Sequence, residues 1–95
     1  MTIDSDLGGG FYSISAAAKM VGTGQQNLRL YERRGLLEPR RTPGGTRRYS
    51  EANLVTLRRI AELLAEGLNL SGVVLVLALE AENALLRAEL SRAHL

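Results

Sequence analysis

The chain of 95 residues is long enough for one small domain, or for one domain plus an extra helix, and it is too short to enclose a large ligand pocket. It contains no cysteine, which excludes disulfides, thiolate metal sites and thiol redox sensing, and nothing in it predicts a metal or a cofactor. The net charge of +2 is unevenly distributed: residues 29–59 carry nine arginines and three glutamates, a sum of +6, whereas residues 60–95 sum to −3. A basic middle segment of this kind predicts a polyanionic partner, and double-stranded DNA is the first candidate.

Residues 1–10 end in three glycines and show no hydrophobic periodicity, so we expect a disordered tail. The tail has no basic start followed by an apolar run, which argues against a signal peptide. No apolar stretch of the chain approaches the roughly 18 residues that a membrane span needs. We therefore expect a cytoplasmic protein without a membrane partner.

Two short helices are predicted after the tail. Phe11, Tyr12 and Ile14 are predicted to form a short strand, and Ser15 follows as a plausible N-cap of a first helix over residues 16–21.

A glycine turn at residues 22–24 then breaks the first helix. The second helix is predicted from Gln25 to Arg34, and it ends at Gly35 in the usual position of a C-terminal glycine. Two short helices joined by a tight glycine turn make a helix-turn-helix, whose second member normally enters the major groove of DNA.

The second helix has a polar face that suits base recognition. On a helical wheel Leu28 lies on the side opposite to a polar and basic arc, which contains Gln25, Gln26, Arg29 and Arg33. Glutamine can bond adenine edges, and arginine can bridge guanine O6 and N7 or bind a phosphate. A polar surface helix would show the same glutamines, so both interpretations stay open at this point.

A small β-hairpin is predicted after the second helix. Two short basic arms between Glu38 and Tyr49 flank residues 42–45, where proline followed by glycine suits a type II turn. Leu36 and Leu37 are expected to return the chain to the core between the helix and this hairpin.

Two further helices are predicted for the C-terminal half. The first begins at Ser50 and ends at Gly67, and its apolar face contains Leu54, Leu57, Ile60 and Leu64. Asn69 is predicted to cap a last helix that runs from about Leu70 toward Arg92.

The last helix predicts self-association. A coiled-coil spacing, with one polar residue of the kind that fixes register, relates Val76, Leu79, Asn83, Leu86 and Leu90. The first half of this helix is apolar all round, so it has more apolar surface than one small domain can cover. We therefore predict a homodimer formed through these five residues.

The blocks LRLYERRGLL (residues 28–37) and PRRTPGGTRRYS (residues 39–50) occur at a fixed spacing. Together they resemble the DNA-binding domain of the MerR family of bacterial transcription regulators, and they look most like the short heat-shock repressors of the HspR type. The similarity covers residues 11–79. It implies an all-α-dominated fold, a winged helix-turn-helix with a small β-hairpin wing and a C-terminal dimerisation helix, which binds an inverted repeat as a dimer joined by antiparallel helices.

The resemblance also implies which residues contact DNA. By residue match these are Arg29, Tyr31, Arg41, Arg47 and Tyr49. The predicted second helix and wing add four further candidates for DNA contact: Gln25, Gln26, Asn27 and Arg48. The alternative for the arginines is a solvated basic face, and for the two tyrosines it is core packing.

Three positions depart from the family's pattern. Gly24 stands where serine or threonine is common, Asn27 where threonine is common, and Thr46 where an aromatic residue is common. The glycine is expected to weaken the start of the second helix, because it offers no capping side chain.

The sequence thus divides into a disordered tail (1–10), a winged helix-turn-helix DNA-binding domain (11–69) and a C-terminal dimerisation helix (70–95). We predict a sequence-specific transcriptional repressor that binds DNA as a homodimer, with a chaperone as a candidate co-repressor. The alternatives are a protein-interaction module and an architectural, excisionase-like factor that bends DNA. No enzyme is predicted, because Ser13, Ser15 and His94 are too scattered to supply a nucleophile and its base.

Overall fold

A computed structural model of the chain describes residues 10–93. The tail predicted for residues 1–10 and His94 therefore lie outside the described residues, apart from Gly10. The chain divides into two compact units between Glu62 and Leu63.

The described part is mostly helical, with one small antiparallel sheet, and the all-α-dominated winged fold with a C-terminal helix is confirmed. In chain order the elements are β1 (Phe11–Tyr12), α1 (Ile14–Val21), α2 (Gln25–Arg33), β2 (Arg40–Arg41), β3 (Arg47–Ser50), α3 (Glu51–Ala65) and α4 (Leu70–Ala93).

The start of α1 differs from the sequence prediction. Ser13, and not Ser15, is the N-cap, since its backbone is extended and its Oγ accepts a hydrogen bond of 3.0 Å from the amide of Ala16. Ile14, which was predicted to belong to the strand, is the first helical residue. Ser15 lies exposed in the first turn, where its side chain is not needed for capping.

The predicted glycine at the end of α2 is confirmed. Gly35 has a φ of +77°, which places it in the left-handed region that favours glycine. Its amide donates to the carbonyl of Glu32 at 3.0 Å, and the amide of Leu36 donates to the carbonyl of Tyr31 at 2.9 Å. These two bonds form a Schellman motif, which satisfies carbonyls that the end of α2 would otherwise leave unpaired. The chain then returns to the core at Leu37, which is buried.

Strand β3 is the centre of a three-stranded antiparallel sheet in the order β1-β3-β2. On one side Phe11 is opposite Ser50 and Tyr12 is opposite Tyr49. On the other side, Arg40 is opposite Arg48 and Arg41 is opposite Arg47. The predicted wing is therefore present, and the predicted N-terminal strand is its third member.

The turn of the wing is not the predicted type II turn. A type II turn after Pro43 requires a positive φ at Gly44, yet the positive φ, +88°, is found at Gly45. The Gly45 amide donates to the carbonyl of Thr42 at 2.8 Å, and the Thr42 amide donates to the carbonyl of Thr46 at 2.9 Å. The glycine that reverses the chain is thus one position later than expected.

Helix α3 begins with a reciprocal cap. The Asn53 amide donates to Ser50 Oγ at 3.1 Å, and the Ser50 amide donates to Asn53 Oδ1 at 2.9 Å, which is a capping box with asparagine in the place of Glu or Gln. Within the first unit its apolar face is buried at Leu54, Leu57 and Ile60.

The second unit contains the end of α3 and all of α4. Leu63 is buried there, while Leu64, predicted to continue the apolar face of α3, is exposed. The predicted cap of α4 is confirmed, because Asn69 Oδ1 accepts from the amide of Gly72 at 2.8 Å. Among residues 10–93, no helix combines the length and the apolarity that a bilayer crossing requires.

The corrected cap of α1 can be tested by a pair of serine substitutions. Ser13→Ala removes the side-chain acceptor of the helix N-terminus and is expected to lower the free energy of unfolding by about 1 kcal/mol. Ser15→Ala is the matched control, and it should change stability by less than about 0.5 kcal/mol, because this exposed side chain is not the cap. Chemical denaturation of both variants measures the difference. A larger loss of stability for Ser15→Ala than for Ser13→Ala would identify Ser15 as the N-cap.

Candidate nucleic-acid interface

The exposed side of α2 carries the polar residues that the helical wheel predicted. Leu28 is fully buried, whereas Gln26 is exposed and Gln25 and Arg29 are partly exposed. The N-terminal half of α2 and the end of α1 line a shallow open concavity, which also includes Lys19. The surface therefore combines two amides with two cations next to the start of α2.

The start of α2 is capped weakly, as the departure at Gly24 predicted. Gly24 is the N-cap residue and makes no side-chain bond to the helix. Asn27, predicted to contact DNA, instead donates from Nδ2 to Thr23 Oγ1 at 2.7 Å, a bond that joins the first turn of α2 to the loop before it. In this arrangement Asn27 joins the turn to the loop, and the neighbouring Gln26 is the exposed amide.

A single carboxylate of α2 forms ion pairs with both wing arginines. Glu32 Oε2 accepts from Arg41 Nη2 at 2.7 Å, and Glu32 Oε1 accepts from Arg47 Nε at 2.7 Å. The hydrogen bond from Arg47 is the main cause that lowers the pKa of Glu32 below its usual range, with Arg41 adding to the effect and burial opposing it. The carboxylate is consequently ionised at neutral pH and joins β2, β3 and α2.

The charges of three of the predicted DNA-contacting arginines act on the hydroxyl of Tyr49. Burial raises the pKa of this hydroxyl, and the cations of Arg47, Arg29 and Arg41 act against that rise while Glu32 adds to it. Glu32 joins the two wing arginines to α2, and Arg29 lies three residues before Glu32 on that helix. The three arginines therefore belong to one cationic surface.

Both tyrosines assigned to DNA contact by resemblance are core residues in the structure. Tyr49 is 0% exposed and Tyr31 is 7% exposed, and burial raises the pKa of each. The Tyr49 hydroxyl oxygen is enclosed and has no hydrogen-bond partner among the described residues. The burial of the ring and its hydroxyl favours the core-packing alternative.

Arg48 lies on the opposite face of β3 from Arg47 and Tyr49, because successive residues of a strand alternate between faces. It is paired in register with Arg40, whose guanidinium lies 5.8 Å from the centre of the Phe11 ring. This distance fits a cation–π contact. The structure therefore separates Arg48 from the surface that Arg29, Arg41 and Arg47 share.

Two residues of this surface were missed by the sequence analysis. Lys19 was a candidate by charge, and its position in the last turn before the glycine break could have indicated it. Glu32 was counted only as an acid within a basic segment. Its partners are 9 and 15 residues away, so helical spacing gave no signal for these contacts.

The predicted seam residues all lie on α4. Val76 is partly exposed, and the other four are exposed: Leu79, Asn83, Leu86 and Leu90. Asn83 Oδ1 accepts from Arg87 Nε at 2.7 Å within the same helix. Among residues 10–93, no group of three or more histidine, cysteine, aspartate or glutamate side chains could hold a metal ion.

The fold and the surface define a winged helix-turn-helix with a cationic face. The family model described as MerR HTH family regulatory protein matches residues 12–80, which is well over half of the chain. The chain therefore belongs to the MerR family of helix-turn-helix regulatory proteins, and the predicted resemblance is confirmed.

Two curated relatives and one solved structure illustrate this membership. A Streptomyces coelicolor protein that carries the name heat shock protein HspR is 44% identical over 78 residues, 81% of this chain and 52% of its own. The HTH-type transcriptional repressor CarH of Myxococcus xanthus is 39% identical over 61 residues, 63% of this chain and 20% of its own. This chain thus spans about half, or less, of the length of the curated relatives it matches.

The solved structure is HiNmlR, a MerR family regulator lacking the sensor domain, bound to promoter DNA. It has a TM-score of 0.67 at 22% identity, with 88% of this chain and 70% of that chain covered. At this identity the likeness supports the fold alone.

The position of Tyr49 can be tested by Tyr49→Phe, which removes only the hydroxyl. Because that hydroxyl is enclosed and unpaired, the variant should keep the wild-type stability within about 1 kcal/mol, or gain slightly. Its affinity for DNA should also stay the same. Tyr49→Ala, by contrast, should lower the free energy of unfolding by about 3–5 kcal/mol. Denaturation and DNA titration check both expectations, and a selective loss of DNA affinity in Tyr49→Phe would reinstate the phosphate contact.

Proposed function

We propose that this protein is a sequence-specific DNA-binding transcriptional repressor that acts on an inverted repeat as a homodimer. The proposal rests above all on one juxtaposition: Glu32 of α2, three residues after Arg29, holds the wing arginines Arg41 and Arg47 against the same helix. A helix and a hairpin that share a cationic surface match the groove and the adjacent backbone of a duplex.

In the proposed complex α2 lies in the major groove. Its nine residues are about 13 Å long, and its exposed edge presents Gln25, Gln26 and Arg29. The two amides suit adenine edges, and the guanidinium suits guanine O6 and N7. The wing follows the neighbouring backbone, where Arg41 and Arg47 bind phosphates and therefore add affinity without base preference.

The names of the relatives support DNA as the partner and repression as the outcome. One structural relative is bound to promoter DNA, and the Myxococcus relative is named a transcriptional repressor. A chaperone co-repressor is supported only by the heat shock name of the Streptomyces relative. A DNA-binding role is consistent with a cytoplasmic location.

We assign residues 11–69 to DNA binding and the chain from Leu70 onward to dimerisation. Helix α4 has 24 residues, about 36 Å, and of these only Val73 is buried. Several exposed leucines follow its length, and a continuous exposed apolar face of this kind marks an association surface. The contact from Arg87 satisfies the Asn83 carbonyl, so this polar seam position can be covered by a second copy without leaving the oxygen unpaired.

DNA binding is tested by footprinting on genomic fragments, followed by titration on the protected site. We expect a short protected palindrome and a plot of log K against log salt with a slope of about −4 to −5 per subunit, if four to six phosphates are neutralised. Arg29→Ala should cost about 1–3 kcal/mol and relax base preference, whereas Arg47→Ala should weaken all sequences alike.

Other outcomes of the same experiment would replace the proposal. A phased array of protected sites would indicate an architectural factor that bends DNA. The absence of any protection, or a salt slope near zero, would indicate a protein-interaction module. Equal loss of specificity in the two arginine variants would contradict the division between α2 and the wing.

The dimer is tested by placing a charge at two adjacent leucines of α4. Leu86 belongs to the predicted seam, while Leu85 lies about 100° around the helix and is equally exposed, 59% against 55%. Leu86→Lys removes a leucine contact of about 1.5–3 kcal/mol from each subunit, so the dimer should dissociate at least 100-fold more readily. Leu85→Lys should leave the assembly unchanged. Analytical ultracentrifugation measures both, and a wild-type chain that stays monomeric at tens of micromolar would reject the dimer.

A further inference from the structure

We propose that Glu32 is a positioning residue of the DNA interface, whose carboxylate fixes the wing arginines Arg41 and Arg47 relative to α2. This inference rests on the proposed DNA-binding function. Glu32 itself carries the charge that DNA repels, so its role is to orient the cations and not to contact the duplex.

The contacts of Glu32 divide evenly between the two wing arginines. Each carboxylate oxygen accepts one charge-assisted bond of 2.7 Å, one from Arg41 Nη2 and the other from Arg47 Nε. Arg41 and Arg47 are directly opposite each other in the register of β2 and β3. A single residue near the end of α2 thus contacts both arms of the wing.

The contact network continues to the tip of the wing. Arg41 uses its other terminal nitrogen, Nη1, to donate to the carbonyl of Gly45 at 3.2 Å. Gly45 is the residue with positive φ at which the hairpin reverses. The position of the tip is therefore connected to Glu32 through one arginine side chain.

The pairing leaves donors available for phosphates. A guanidinium has five N–H donors, and Arg47 directs only its Nε toward Glu32. Its two terminal nitrogens have no partner among the described residues. Two arginines and one glutamate still sum to +1, so the cluster remains cationic while its side chains are ordered.

The energetic effect of these ion pairs should appear in binding more than in folding. The side chains are 44%, 29% and 22% exposed for Arg41, Arg47 and Glu32, and ion pairs at such exposure contribute little to stability. The wing itself is a hairpin whose β2 arm has only two residues, and such a hairpin is marginal alone. A wing that is not ordered beforehand must be ordered by DNA, which lowers affinity.

Electrostatic repulsion alone predicts the opposite change in DNA affinity when the charge of Glu32 is removed. The direction of that change therefore distinguishes the two roles. Removing a negative charge beside the DNA phosphates should tighten binding if Glu32 only repels DNA. Removing the residue that orders the arginines should weaken binding.

The test compares Glu32→Gln with Glu38→Gln on the footprinted operator at fixed salt. Glu38 is a matched control because it lines the same concavity as Glu32, is exposed and forms no ion pair among the described residues. We expect Glu32→Gln to bind roughly 10-fold more weakly than wild type, and Glu38→Gln to bind equally or slightly more tightly. Both variants should melt within a few degrees of wild type. In an Arg47→Ala background, Glu32→Gln should have a smaller effect.

Amide hydrogen exchange without DNA provides a second readout. The amides of Thr42 and Thr46, both bonded within the wing turn, should exchange faster in Glu32→Gln and unchanged in Glu38→Gln. Binding of Glu32→Gln that is as tight as wild type or tighter overturns the inference, as does unchanged exchange at both threonines. If wild type binds no DNA, the proposed function fails, while the exchange result still decides whether Glu32 orders the wing.

Discussion

Strand β3 is the element on which the proposed interface depends, because it pairs with β1 on one side and β2 on the other. Its Tyr49 is fully buried, and Arg47, two residues earlier, is on the same face of the strand. Burial of an aromatic ring is worth several kcal/mol, whereas a partly exposed ion pair is worth one at most. The core position of Tyr49 therefore fixes β3, and the ion pairs with Glu32 order the arginines and the turn of the wing.

This division explains how a weak set of contacts can serve recognition. In the proposed complex the arginines must stay accessible to phosphates, so they cannot be buried deeply in exchange for a fixed orientation. A carboxylate on the adjacent helix provides the orientation without burial, and it adds one negative charge to the proposed interface. Because one carboxylate pairs with two arginines, the net charge of the three side chains stays positive. Tyr49, on the same face of β3 as Arg47, is buried with its hydroxyl enclosed and unpaired, so one face of the strand carries both a core residue and a cation of the surface.

Residue types at short spacing predicted the helices and strands, whereas the N-cap of α1 and the contacts of the site depend on residues that are distant in the sequence. The Gly35 stop, the Asn69 cap and the wing followed from residue types at fixed offsets. Ser13 and Ser15 are equally good caps by type, and the choice depends on β1, which pairs with β3 and so fixes the backbone immediately before α1. The burial of Tyr49 and the pairing of Glu32 depend on how β3 lies against α2, which no local pattern encodes. For that reason the sequence predicted the cations of the site but not their contacts with Glu32.

The charge of the chain is divided between a basic middle segment and an acidic C-terminal segment. Residues 29–59 sum to +6 and residues 60–95 to −3, so the helix with the exposed leucines belongs to the segment that a polyanion repels. An apolar face within an acidic segment gains nothing from DNA and can be covered only by protein or by a lipid surface. The acidic residues disfavour an anionic membrane, and the leucines recur at the spacing that a second helix of the same kind can cover. A second copy of the chain meets both conditions, which supports the proposed dimer.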